Sequence, residues 1–152
     1  MMPSALTNVA QPKPRLLAAV LIFVLMLAAC YTSAQAEPTP PPWTADTKNG
    51  LFTVTLGPEA NVIRINALQK WIVTIKDKNG RDVNPAQILL DGGMRAHGHG
   101  LPTQPQVTDY LGEGRYLIEG LRLNMVGAWT LMVGVDFNGQ RDLVLFEFEI
   151  DY

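Results

Sequence analysis

The sequence predicts an all-β fold: an immunoglobulin-like antiparallel β-sandwich of about seven strands, preceded by a signal or lipoprotein segment. Three observations lead there. Beyond residue 49, apolar residues recur at every second position. Asn-Gly pairs and glycine clusters punctuate those runs. No stretch after residue 50 carries the apolar stripe of a helix.

The chain opens with a different kind of segment. Residues 16–29 are uncharged and read Leu-Leu-Ala-Ala-Val-Leu-Ile-Phe-Val-Leu-Met-Leu-Ala-Ala, with Lys13 and Arg15 just ahead and no acid nearby. A basic start followed by a short apolar run is the pattern of a secretory signal. A run of about 14 residues is short for the roughly 30 Å of a bilayer's hydrocarbon. Three outcomes are open. Leu27-Ala28-Ala29-Cys30 resembles a lipobox, cleavage of which would leave Cys30 as a lipidated N-terminus. Ala34-Gln35-Ala36 is an A-x-A site that would be cut before Glu37. Left uncut, the segment would remain as a membrane anchor. Each outcome places the rest of the chain outside the cytoplasm, in the periplasm or cell envelope. The first and third hold it at the membrane.

Residues 30–48 read as a tether. The run Glu37-Pro38-Thr39-Pro40-Pro41-Pro42-Trp43 favours extended polyproline II and a semi-rigid spacer. Residues 49–152 then form the predicted β domain. Phe52, Val54 and Leu56 alternate with Thr53 and Thr55, and Trp71, Val73 and Ile75 with Thr74 and Lys76. Trp129, Leu131, Val133 and Val135 alternate with Thr130, Gly134 and Asp136. Val144, Phe146, Phe148 and Ile150 alternate with Glu147, Glu149 and Asp151. Such alternation means strands with one buried face. Asn79-Gly80 and Asn138-Gly139 each predict a type I′ hairpin turn, the second between the two strongest strand patterns. Gly114-Arg115-Tyr116 and Gly127-Ala128-Trp129 predict the two strands of a late hairpin. Trp71 and Trp129 are the expected core aromatics, one from each sheet.

Composition removes several function classes. After residue 36 the chain carries ten Lys and Arg against fourteen Asp and Glu. That acidic balance argues against a nucleic-acid partner. The serines are Ser4 and Ser33 and the single cysteine is Cys30, so the β domain has neither residue. Serine and cysteine nucleophile schemes are therefore excluded, as are disulfides and thiolate metal sites. No glycine-rich phosphate loop joins a strand to a helix.

The chemically informative segment is Asp91-Gly92-Gly93-Met94-Arg95-Ala96-His97-Gly98-His99-Gly100-Leu101-Pro102. Its glycines and proline predict a loop. It holds both histidines of the chain, one residue apart, so an extended backbone would aim both at a single ion. Imidazole suits copper, zinc, iron and nickel, and a thioether beside it favours copper, above all Cu(I). Met94 is the first candidate thioether, and Met125, ahead of the Trp129 strand, is the second. A catalytic zinc would need a third ligand, for which Asp91 or Asp109 would have to serve.

These segments resemble the YtkA-like/FixH-like family of small extracytoplasmic bacterial β domains. The resemblance is carried by Asn66-Ala67-Leu68-Gln69-Lys70-Trp71, Asn79-Gly80-Arg81, residues 94–102, Gly114-Arg115-Tyr116 and Gly127-Ala128-Trp129. It covers roughly residues 62–148. It implies an immunoglobulin-like fold and a link to metal handling, since FixH-like members are associated with maturation of cation-dependent respiratory complexes. Arg95 stands where the form Met-Pro-x-His-Gly-His-Gly has proline. The expected function is a non-enzymatic metal-binding module or carrier of the envelope, with His97, His99, Met94 and Met125 as ligands and copper as the ion. The alternative is a metal-free interaction module assisting an envelope protein partner in a membrane complex.

Overall fold

Rows of apolar side chains at alternate positions give each strand one face that must be covered, and two sheets cover each other. The computed structural model, which describes residues 41–151, resolves this pattern into nine strands. They are β1 (Trp43–Asp46), β2 (Phe52–Pro58), β3 (Gln69–Asp77), β4 (Gln87–Met94), β5 (His99–Gly100), β6 (Gln106–Gly112), β7 (Arg115–Leu121), β8 (Gly127–Phe137) and β9 (Gln140–Ile150). The first sheet has the order β1-β2-β3-β7-β6 and the second β5-β4-β8-β9. Every pairing is antiparallel. With β2, β3, β4, β6, β7, β8 and β9 taken as A to G, the sheets read ABED and CFG, the immunoglobulin arrangement. Their number matches the expected count of about seven, although β4 and β6 carry no alternation that marked them; β1 and β5 are short additions at two edges.

The core contains the side chains read from the alternation, together with Tyr116 and Ile118 and with Val83, Leu90, Met94, Leu121 and Leu123, which it did not mark. Phe52, Val54 and Leu56 of β2, Trp71, Val73 and Ile75 of β3, and Tyr116 and Ile118 of β7 face Trp129, Leu131, Val133 and Val135 of β8 and Val144, Phe146, Phe148 and Ile150 of β9. Trp71 and Trp129 are fully buried, one in each sheet, as expected. Burying one large apolar side chain is worth about 1.5–3 kcal/mol, so this double row is the principal stabilising feature. Among the described residues every buried core residue lies between Phe52 and Ile150.

Four local expectations are corrected. The strand β1 lies inside the span read as tether: Trp43 stacks on Phe148 with ring centroids 4.3 Å apart, and its strand pairs with β2 from Trp43↔Leu56 to Asp46↔Thr53. A tryptophan after prolines has apolar area to bury, and the β2 edge offers the backbone partners. Asn138-Gly139 does form a turn with both residues at positive φ, 51° and 75°. At Asn79-Gly80 only Gly80 takes positive φ (76°), because the Asp77 carboxylate accepts the Asn79 N–H and holds a different turn. Gly114-Arg115-Tyr116 and Gly127-Ala128-Trp129 open β7 and β8, which lie in opposite sheets, so the link between them is a crossover rather than a hairpin.

The glycine-rich segment is the fourth. Its first half is strand: β4 runs through Asp91-Gly92-Gly93 to Met94. Glycine is required there by crowding rather than by a loop. A Cβ on Gly92 would lie 2.3 Å from the Thr130 carbonyl oxygen, and one on Gly93 2.3 Å from that of His99. The expected signal segment 1–29, Cys30 and the tether up to residue 40 lie outside the described residues. Among the described residues no helix is long and apolar enough to cross a membrane.

Candidate metal centre

Both histidines are placed by the turn that follows β4. Residues Arg95–His97 make a single 3-10 turn, which Gly98 ends in the left-handed conformation at φ 66° and ψ 25°. The chain then reverses into β5, where Met94 is paired with His99 and Gly93 with Gly100. Directly opposed residues of an antiparallel pair share a face. Met94 faces the core, so His99 lies on the same side, at the edge where the core meets solvent. Its ring stands edge-on to Trp129 at a centroid separation of 6.2 Å.

The imidazoles of His97 and His99 are exposed, 5.9 Å apart between centroids and tilted by 32°. An ion about 2.0–2.1 Å from a ring nitrogen sits roughly 3.2 Å from that ring's centroid. Two rings on one ion are then about 5 to 6.4 Å apart, from a tetrahedral to a linear angle. The observed separation falls within that range. His99 is also set in a suitable tautomer. Its Nδ1 is 3.0 Å from the Gly100 carbonyl oxygen, which can only accept. In the neutral ring that contact is made by Nδ1–H, which leaves the Nε2 lone pair for a metal.

Met94 is 1% exposed and belongs to the core, where a Cβ on Gly127 would meet its Cε at 3.0 Å. It is the pair partner of His99, and both line an open groove of about 310 Å³ with Gly93 and Gly98, faced by Thr130 and Leu145. Met125 joins the site through its backbone: its carbonyl accepts the Trp129 indole N–H at 3.0 Å. Its thioether is no part of the groove that His99 and Met94 line. Arg95, which also lines the groove, has Glu147 of β9 as an acidic neighbour at 3.7 Å.

Of the acidic candidates, Asp91 lines the same groove as His99 and Asp109 does not. The Asp91 carboxylate accepts the Gly92 N–H at 2.7 Å. Asp109, on β6 in the other sheet, accepts the Tyr110 N–H at 2.8 Å. Among the described residues no three His, Cys, Asp or Glu side chains come together as a metal group. The exposed donors brought together are thus the two imidazoles; Met94 is the backbone pair partner of His99 but its side chain is buried in the core, and His97 is not among the residues lining the groove. Sequence reasoning missed the role of Trp129 as the ring beneath His99; its alternation marked it only as core.

A sandwich of ABED and CFG sheets with a histidine turn at one end defines a small β domain built to present one loop. The family model described as YtkA-like matches residues 46–134, more than half of the chain, and the chain belongs to that family. The match contains the histidine turn, Met125 and Trp129. No curated protein and no solved structure matches the chain.

Proposed function

We propose that the chain is a non-enzymatic metal-binding module or carrier of the cell envelope, held outside the cytoplasm, and that copper is its ion. The observation that carries this reading is the spacing of His97 and His99, which suits one shared ion; Met94, the backbone pair partner of His99, is the proposed soft ligand. Two imidazoles and a thioether match the softness of Cu(I). An exposed site with few protein ligands also suits exchange with a partner. Trp129 supplies the test. Cu(II) at the pair lies close enough to quench its fluorescence, whereas closed-shell Zn(II) does not. Stoichiometric quenching by Cu(II), lost in Trp129→Phe while copper stays bound, is the expected result. Unchanged emission with one equivalent of Cu(II) would overturn the site.

A second reading, a metal-free interaction module assisting a membrane complex, is favoured by one feature. Leu89, Leu143 and Leu145 stand exposed on the outer face of the second sheet. Crosslinking at Leu145 to a defined envelope partner, with no stoichiometric metal, would favour it.

A further inference from the structure

The two ends of the sandwich differ in kind. At one end lie the turns 47–51, 78–82, 112–115 and 138–139, and none of the exposed large apolar side chains is among them. The other end gathers the loop 58–69, the histidine turn, the loop 121–127, the start of β1 and the end of β9. Register places them together: Pro58 is paired with Trp71, Gln69 with Leu121, Trp43 with Leu56 and Gly127 with Ile150. This end exposes Leu68 (70%), Val62 (45%) and Met125 (38%) at its loop tips.

The tips are held rather than loose. The Arg64 N–H donates to Gln69 Oε1 at 3.0 Å, and Gln69 Nε2 donates to the Arg64 carbonyl at 2.9 Å, closing the first loop on itself. The Asn66 N–H donates to the Leu123 carbonyl at 2.7 Å and ties that loop to the one bearing Met125. Three apolar side chains on loop tips tied by these bonds, with the exposed Arg64 beside them, form the arrangement of an interfacial anchor; the neighbouring Lys70 is paired with Glu119 at 2.6 Å.

The chain itself names the occupant. It leads into β1 at this same end, and only residues 30–42 separate β1 from the apolar run 16–29. A leash of that length spans at most about 47 Å. We propose that this end of the sandwich docks on a lipid bilayer, with Val62, Leu68 and Met125 seated at headgroup level. The histidine turn then faces the membrane, and any ion it carries is exchanged with a partner at the bilayer surface. This docking rests on reading 16–29 as an export or anchoring segment and is independent of metal.

The test uses the compact unit Pro38–Tyr152, which contains every core residue described, without metal. It is sedimented with vesicles of phosphatidylethanolamine and phosphatidylglycerol, beside the variant Val62→Ser/Leu68→Ser/Met125→Ser. The wild type is expected to partition at millimolar lipid, and the variant to lose roughly tenfold or more, as partial withdrawal of three apolar side chains requires. Leu89→Ser/Leu143→Ser, on the sheet face where both are paired with Gly134, should partition as the wild type. A wild type that stays in the supernatant, or a triple variant that binds equally well, would overturn docking. So would a lipid-free dimer abolished by the triple variant, which would assign the tips to a second copy of the chain. Because metal is absent, failure here leaves the metal reading untouched.

Discussion

Replacing Gly93 by alanine adds one methyl group where no room exists. The new Cβ would sit 2.3 Å from the His99 carbonyl oxygen and 2.8 Å from Gly100 Cα. Ordinary contact begins near 3.4 Å, so β5 must retreat by about 1 Å, and overpacking of this kind costs about 1–3 kcal/mol. The retreat carries His99 with it, while His97 stays on its own turn. A two-imidazole site opened by about 1 Å should lose roughly tenfold or more in copper affinity with no ligand removed. Two controls bracket the effect. At Gly100 the nearest atom to a new Cβ is the Gly92 oxygen at 3.5 Å, so Gly100→Ala should stay within about 0.5 kcal/mol of the wild type. At Gly139 nothing lies within 4 Å but φ is 75°, so alanine there should cost about 1–2 kcal/mol without touching metal affinity. Urea denaturation and copper titration of the three variants measure both quantities. Wild-type stability together with wild-type affinity in Gly93→Ala would refute the crowding at β5.

Three further substitutions probe separate features. Met94→Leu conserves volume and should cost less than about 1.5 kcal/mol, but it removes the thioether, so Cu(I) affinity should fall while Zn(II) affinity holds in parallel titrations. Tyr116→Phe strips the hydroxyl that donates to the Val83 carbonyl at 2.7 Å and accepts the Ala86 N–H at 3.1 Å; unfolding should show a loss of about 1–3 kcal/mol. Burial alone would raise the Asp142 carboxyl, but the Thr47 side chain and the N–H groups of Leu143, Asn49 and Leu51 outweigh it and hold it below its ordinary value. A folded value below the unfolded one gives stability that is present above about pH 4 and lost as pH falls through the folded value. Thermal melts should therefore show a smaller loss between about pH 6 and pH 3 in Asp142→Asn than in the wild type; equal losses would contradict this.

The strands were legible because the period of two is strong wherever one face is buried, as in Trp129 to Val135 and Val144 to Ile150. Short edge strands carry no such signal. The four residues of β1 alternate too briefly and follow prolines, and β5 has only two residues. Glycines misled for a physical reason. At Gly92 and Gly93 they answer the close approach of the Thr130 and His99 carbonyls, which only the three-dimensional pairing reveals. The histidine pair was visible as a spacing, and the structure adds its geometry: the reversal at Gly98, the contact of His99 Nδ1 with the Gly100 carbonyl oxygen, and Trp129 under the ring. Met94 was legible as a neighbour of the pair but not as a core residue, since a methionine in a glycine-rich run has no alternation to place it.

The most direct test of the metal site is a titration of the unit Pro38–Tyr152 with Cu(I), Cu(II) and Zn(II), beside His97→Ala/His99→Ala. Both histidines are exposed, so the double variant should unfold at the wild-type midpoint. One copper ion bound tightly per wild-type chain and none by the variant is the expected result. Equal binding by both, or none by the wild type, would contradict a metal centre at this turn.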